Sequence, residues 1–146
     1  MLEILTEENK LLRKKSKRVD KIDDSVRNLC ASLVDTMLAN NGVGLAAPQC
    51  GIHKRIIVVL INEQPKVLIN PEIIFFSDDK EVAEEGCLSI PEKFIQKKRY
   101  SKVTIKYRNL AGHPNLETHE GFNARVIQHE IDHLDGILMT DEELAQ

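Results

Sequence analysis

Several features that would place a protein in a special class are missing from this chain of 146 residues. No apolar run approaches the length of a membrane-spanning helix. Residues 1–5 carry an acid where a secretory signal needs a base, and no apolar segment follows them. The three cysteines are an odd number, which argues against a disulfide framework. These absences predict a cytoplasmic protein with no membrane partner.

An excess of positive charge is also missing. The net charge is −3 at pH 7, with 42% hydrophobic and 29% charged residues. This composition is typical of a globular protein and argues against a nucleic-acid binder that neutralises many phosphates, so no sequence-specific nucleic-acid partner is expected. Six basic residues nonetheless cluster at positions 10–18, as a nucleic-acid or ribosome contact or as a solvated N-terminal arm. The length, without any repeat or linker, predicts a single domain over residues 1–146.

Apolar residues at helical spacing predict two helices. A stripe from Val26 to Leu38, with Asp23 before it and Asn40 after it, predicts an N-terminal amphipathic helix with capping residues at both ends. A second helix is predicted over about residues 121–134. Apolar residues cover much of the circumference of this helix, so we expect it to be a central element with β-sheets wrapped around it.

Short β-branched runs and one alternating run predict strands between the two helices. Asn70-Pro71 separates two of these runs, and Pro91 stops another. Together with the helices they predict an α+β fold with antiparallel or mixed sheets. The runs lie at residues 55–61, 67–69, 73–76, 81–90 and 102–108.

The second helix carries the sequence His129-Glu130-Ile131-Asp132-His133. Two histidines four residues apart lie on one face of a helix, so both imidazoles can bind a single metal ion. Glu130 lies outside that ligand row and can move a proton for a substrate held at the metal. The alternative is a pair of hydrogen-bonded core histidines next to a surface glutamate.

The motif supplies two ligands, and a metal site of this kind needs a third from elsewhere in the chain. The spacing of the cysteines does not decide between Cys50 and Cys87. Three further histidines fall in polar segments, where we expect surface residues rather than ligands. They are His53, His113 and His119.

Three stretches, in this order along the chain, resemble the motifs of the peptide deformylase family. Residues 42–49, Gly-Val-Gly-Leu-Ala-Ala-Pro-Gln, resemble the first motif. Residues 85–89, Glu-Gly-Cys-Leu-Ser, resemble the second, and residues 129–136, His-Glu-Ile-Asp-His-Leu-Asp-Gly, resemble the third. Members of the family remove the formyl group from the initiator methionine of nascent chains. The resemblance covers nearly the whole chain and implies the same activity here.

The resemblance also implies the metal and its ligands. Cys87 would join His129 and His133, while Cys50 falls just after the first motif, where an apolar residue is usual. A set of one thiolate and two imidazoles suits both iron(II) and zinc. The family usually works with iron(II), so we expect one Fe²⁺ per chain, with zinc, nickel or cobalt as substitutes.

The resemblance assigns further roles at this site. Hydroxide, formed from water at the metal, would attack the formyl carbon while Glu130 takes the proton and returns it to the departing amine. The Gln49 side-chain amide and the Leu88 backbone N–H would stabilise the developing oxyanion. The peptide would lie extended along backbone at Val43, Gly44 and Gly86. The implied pocket for the methionine side chain consists of Phe122, Val126 and the stem of Arg125.

The chain departs from the family pattern in two places. Thr6-Glu7-Glu8-Asn9 stands where a Pro-Asp-Pro turn is common, and Lys97 and Lys98 occupy positions that are often apolar or proline. These departures bear on the pocket rim and the peptide preference. The implied partners are N-formylmethionyl nascent peptides and, transiently, the ribosome. The competing functions are a general His-Glu-x-x-His metallopeptidase and a metal-binding protein without catalytic activity.

Overall fold

The computed structural model describes residues 1–142. This part of the chain contains two α-helices and seven β-strands. Helix α1 spans Asp24–Ala39 and helix α2 spans Gly121–Leu134. The strands, in chain order, are β1 Gly44–Ala46, β2 Ile56–Ile61, β3 Gln64–Phe76, β4 Lys80–Cys87, β5 Ile90–Tyr100, β6 Lys102–Arg108 and β7 Pro114–Glu120.

The strands form two antiparallel sheets. Five of them pair in the order β1-β2-β3-β6-β7, and β4 pairs with β5 in a separate hairpin. The prediction of a small α+β chain with antiparallel sheets is confirmed. Within the described residues β1 has a strand partner on one side only, so one edge of the main sheet is unpaired next to α2.

Capping and burial explain the bounds of α1. The Asp23 side chain accepts a hydrogen bond from the Val26 N–H at 3.1 Å, which satisfies a donor that the first turn leaves free. Asn41, at φ 56°, ends the helix in the left-handed region. The apolar face packs against β2, with Leu33 and Met37 fully buried. Truncating either side chain to Ala would cost about 2–5 kcal/mol of stability.

Helix α2 has ten of its 14 residues buried. Ala124, Ile127 and Leu134 pack into the apolar core that the main sheet provides. The same helix contacts β5 of the hairpin, so it is covered by both sheets. Polar side chains on such a helix are shielded from water and need hydrogen-bond partners or a ligand. Neither described helix is long and apolar enough to cross a membrane.

The prediction of two strands separated at Asn70-Pro71 is wrong. Strand β3 is continuous through both residues, with a shift in register at that point. Asn70 adopts φ 54°, and its side chain hydrogen-bonds to both the N–H and the C=O of Val19. Residues 70 and 71 form an irregularity in the strand and do not pair with β6, and regular pairing resumes at Glu72.

The run predicted to stop at Pro91 also differs from the structure. The chain turns at residues 88–89, and β5 then passes through Pro91. Pairing jumps from Cys87–Ile90 to Gly86–Phe94, so the ladder needs no N–H from residue 91. Proline is tolerated in a strand at such an irregularity.

Candidate metal centre and active site

Three side chains that could bind a metal ion converge at helix α2. Cys87 is the last residue of β4, and His129 and His133 lie one turn apart on α2. Their ligand atoms all lie within 4.8 Å of one another, and Cys87 Sγ is 3.4 Å from His133 Nε2. Three protein ligands of this kind can hold one metal ion and leave a position for water or substrate.

The other cysteines and histidines take no part in this group. Of the described residues, only Cys87, His129 and His133 form a cluster with this spacing. Cys50, which spacing alone left open as a ligand, packs in the apolar cluster around α1. The three remaining histidines lie apart from the site and are not buried: His53, His113 and His119.

The charges around the two imidazoles favour a cation between them. Burial by itself lowers the pKa of His129, but the charges of Glu130 and Cys87 and the hydrogen bond to Glu85 raise it to about 10. The negative groups that favour a proton on His129 would equally favour a metal cation bound in its place. Burial and the charge of His129 lower the pKa of His133 well below its usual value, so that imidazole is neutral and able to bind metal.

Glu85 fixes the orientation of His129. Its Oε1 accepts a hydrogen bond from His129 Nδ1 at 2.9 Å, which leaves Nε2 for a metal. Arg99 donates to the same carboxylate from Nε at 2.8 Å and from Nη2 at 2.9 Å, and Arg125 donates from Nη1 at 2.7 Å. Burial alone would raise the pKa of Glu85, but the hydrogen bonds from Arg99 and His129 lower it far below its usual range. An ionised carboxylate of this kind orients a metal-binding imidazole.

The two arginines also join the β4–β5 hairpin to α2. Arg99 donates from Nη1 to Asp132 Oδ2 at 2.6 Å. Arg125 donates to the carbonyl oxygens of Lys97 and Glu81 at 2.8 and 2.7 Å. We did not predict this network. Its only signal in the sequence is an acidic residue two positions before Cys87.

Glu130 is buried among the metal-binding side chains, and its Oε1 has no hydrogen-bond partner among the described residues. Burial, partly opposed by the charge of His129, raises the pKa of Glu130 to about 7. A carboxyl group that titrates near neutrality can accept and release a proton in one reaction cycle. Gly44 leaves the room for it, since a Cβ at that position would lie 2.5 Å from Glu130 Oε2.

Two hydrogen-bond donors face the same region. The amide of Gln49 is fixed because Oε1 accepts from the Ala46 N–H at 2.9 Å and Nε2 donates to Ser89 Oγ at 3.0 Å. The same Nε2 donates its other hydrogen to Cys87 Sγ at 3.7 Å. The Leu88 N–H has no acceptor among residues 1–142. The Leu88 N–H is therefore free for an oxygen that gains negative charge, and Gln49 Nε2 can exchange its long contact with sulfur for such an oxygen.

A cavity of about 520 Å³ opens next to these groups, which is a size typical of small-ligand sites. Val43 and Gly44 line it from the chain at the unpaired edge of β1, and Gly86 lines it from β4. The three residues predicted for the side-chain pocket also line it: Phe122, Arg125 and Val126. Other lining residues were not among the predicted site residues: Asn40, Asn41, Gly42, Glu84, Glu85, Pro91, Glu92 and Phe94.

A helix that presents two imidazoles and a carboxyl group next to a thiol and an open cavity is the arrangement of a metal-dependent hydrolase. The sequence model of the family described as Polypeptide deformylase matches residues 1–145 of the chain. The chain belongs to the peptide deformylase family.

Individual relatives agree with the family match. The peptide deformylase of Desulforudis audaxviator is 52% identical over 132 residues, which cover 90% of this chain and 86% of that protein. The peptide deformylase of Pseudothermotoga lettingae is 49% identical over 131 residues, covering 90% of this chain and 76% of that protein. The crystal structure of the peptide deformylase from Thermotoga maritima has a TM-score of 0.97 at 42% identity, with 99% of each chain covered. The resemblance noted in the sequence is thereby confirmed.

Proposed function

We propose that this chain removes the N-formyl group from the initiator methionine of nascent polypeptides and releases formate. The observation that carries the proposal is the convergence of Cys87, His129 and His133 next to the buried carboxyl group of Glu130 in a chain of the peptide deformylase family. The catalytic unit is a single domain over residues 1–146, with its sheets wrapped around α2. It acts in the cytoplasm.

The family depends on a metal, and the donor set fits one. We assign Cys87, His129 and His133 as its three protein ligands and Fe²⁺ as the ion, with zinc, nickel or cobalt as substitutes. The buried position of both imidazoles and the negative charges around His129 support this assignment. When bound, the metal lowers the pKa of a coordinated water towards neutrality and so supplies the nucleophile.

The residues of the chain orient the substrate and handle the proton. The formylated peptide lies extended in the cavity and pairs with backbone at Val43, Gly44 and Gly86, where β1 offers an unpaired edge. The methionine side chain enters the apolar part of the cavity. Its walls are Phe122, Val126 and the stem of Arg125, whose guanidinium group is already bonded to Glu85.

Glu130 accepts the proton of the attacking water and returns it to the departing amine, which its near-neutral pKa permits. The side-chain amide of Gln49 and the backbone N–H of Leu88 donate hydrogen bonds to the formyl oxygen as it gains negative charge. Ser89 keeps the Gln49 amide in place for this task. The partners of the chain are therefore formylated nascent peptides, which it reaches while bound transiently to the ribosome.

The test compares formyl-Met-Ala-Ser with Met-Ala-Ser, using the chain loaded with Fe²⁺ under anaerobic conditions. We expect one formate per formylated peptide consumed and no change in the unformylated peptide. Cleavage of an internal peptide bond without formate release would instead identify a metallopeptidase. Tight binding of Fe²⁺ without any formate release would identify a metal-binding protein that has no catalytic activity.

A further inference from the structure

The basic residues of positions 10–18 form a fixed surface feature and not a loose arm. The segment passes over the C-terminal end of α2, where the Ser16 N–H donates to the Leu134 carbonyl at 2.8 Å. Leu12, Ser16 and Val19 are buried and hold the segment down. Every basic residue from position 10 to position 18 is exposed. We refer to these six residues as the basic strip: Lys10, Arg13, Lys14, Lys15, Lys17 and Arg18.

The backbone of the basic strip is hydrogen-bonded on both sides. The Lys17 N–H donates to the His53 carbonyl at 3.1 Å, and the Lys17 carbonyl accepts from the Arg55 N–H at 2.9 Å. The Asn70 side chain bonds both backbone groups of Val19. A ligand of the strip therefore meets cations on an ordered backbone, and binding does not have to order the chain first. Exposed Lys54 adds a further cation next to Lys17.

Few carboxylates neutralise the basic strip. Arg13 is paired with Asp141, while the other five members have no ion-pair partner within the described residues. Asp135, at the end of α2 over which the strip passes, is already paired with Arg55. Removing the six positive charges of the strip from the net charge of −3 leaves −9 for the rest of the chain. The strip is therefore a positive patch on a chain whose remaining net charge is negative, which favours a polyanion at this face.

We propose that the basic strip binds the phosphate backbone of RNA. Residues 14–18 present four cations along about 16 Å of extended chain, a linear charge density suited to a nucleic-acid strand. The inference rests on the proposed function, since a chain that acts on nascent peptides works next to ribosomal RNA. A membrane surface fits less well, because Leu11 is the one exposed large apolar side chain within the strip.

Binding at the basic strip leaves the active site open. The residues that line the catalytic cavity come from 40–44, 49, 84–94 and 122–130, and none of them belongs to the strip. The chain can therefore hold RNA and accept a peptide at the same time. Contact through phosphates implies affinity that depends steeply on salt and little on RNA sequence.

The experiment measures binding of the metal-loaded chain to a fluorescein-labelled RNA duplex of about 20 base pairs, by anisotropy between 50 and 200 mM KCl. The strip variant Lys14→Gln/Lys15→Gln/Lys17→Gln is compared with Lys98→Gln/Lys102→Gln/Lys106→Gln, which removes the same charge from exposed positions elsewhere. We expect the strip variant to bind RNA at least about tenfold more weakly than the wild type. The slope of log K against log salt concentration should be smaller in magnitude by about 2–3. The control should stay within about twofold of the wild type.

Absence of RNA binding by the wild-type chain at 50 mM KCl would overturn the proposal, as would equal losses in the two triple variants. Binding to vesicles of anionic phospholipid without binding to RNA would also overturn it. Formate release by the same preparations is scored separately. Formate release without RNA binding would contradict only the proposal that the basic strip binds RNA. Strip-dependent RNA binding without formate release would contradict only the proposed deformylase function.

Discussion

Glu85 and His129 share a 2.9 Å hydrogen bond between two side chains that are each more than nine-tenths buried. The bond fixes the orientation of the imidazole ring, because Nδ1 carries the donated hydrogen and Nε2 is the nitrogen left to bind a metal once its proton is released. Glu85 is itself held by two arginines. The position of an imidazole proposed as a metal ligand is thus determined by side chains that are not themselves proposed as ligands.

The change Glu85→Gln should weaken metal binding about 10–100-fold, because the amide orients His129 less firmly, leaves the buried Arg125 without a carboxylate and leaves Arg99 with Asp132 alone. Competition with a chelator measures the affinity, and thermal unfolding of both proteins measures the accompanying loss of stability. Glu81→Gln is the matched control, since Glu81 is an exposed glutamate on the same strand. Equal metal affinity in the two variants would contradict the positioning role.

The change Glu130→Gln should leave one metal bound per chain and reduce kcat for formate release by about 10²–10⁴-fold. The amide matches the carboxyl group in size but cannot carry the proton. Metal analysis and the formate assay on one preparation separate the two effects. Retention of more than a tenth of the wild-type kcat would show that another group moves the proton.

The change Gly44→Ala should lower both stability and activity, because its Cβ would lie 2.5 Å from Glu130 Oε2 and 2.9 Å from Val126. We expect a loss of about 1–3 kcal/mol in the free energy of unfolding. Gly86→Ala is the comparison, since its Cβ would meet the exposed ring of Phe94, which can move aside. Urea unfolding of both variants checks the difference, and equal losses would count against the close approach at Gly44.

Glu117 should contribute stability that depends on pH. Burial by itself would raise its pKa, but hydrogen bonds from Lys66, Tyr107 and His119 lower it below the ordinary 4.5. Because the pKa of Glu117 is lower in the folded than in the unfolded state, its carboxylate stabilises the fold fully above pH 4.5. This stabilisation is lost as the pH falls through the pKa of the folded state. Wild type should therefore exceed Glu117→Gln in the free energy of unfolding at pH 7, and the gap should narrow below pH 4. A gap independent of pH would exclude this charge effect.

The helices were predictable because their signals are local. The cap at Asp23 and the helical spacing of apolar residues require no knowledge of distant contacts. The same holds for His129 and His133, whose separation along one helix places both on one face. The family motif then indicated Cys87, whereas spacing alone did not distinguish it from Cys50.

What the sequence could not provide depends on contacts between distant segments. The continuity of β3 depends on the bond of Asn70 to Val19, 51 residues away. The role of Glu85 depends on Arg99 and Arg125, which reach it from separate elements. In both cases the deciding partner lies outside any window in which periodicity can be measured.

The hairpin that carries Cys87 shares no strand with the main sheet, and a two-stranded hairpin is only marginally stable by itself. The placement of its sulfur opposite the two imidazoles is therefore set by contacts other than pairing with the main sheet, namely the buried arginines and the apolar contacts of Ile90 and Ile95. If those anchors were lost, we expect the hairpin to swing away while the rest of the molecule keeps its shape. Such a protein would lose its metal through separation of the ligands, well below the temperature at which it unfolds.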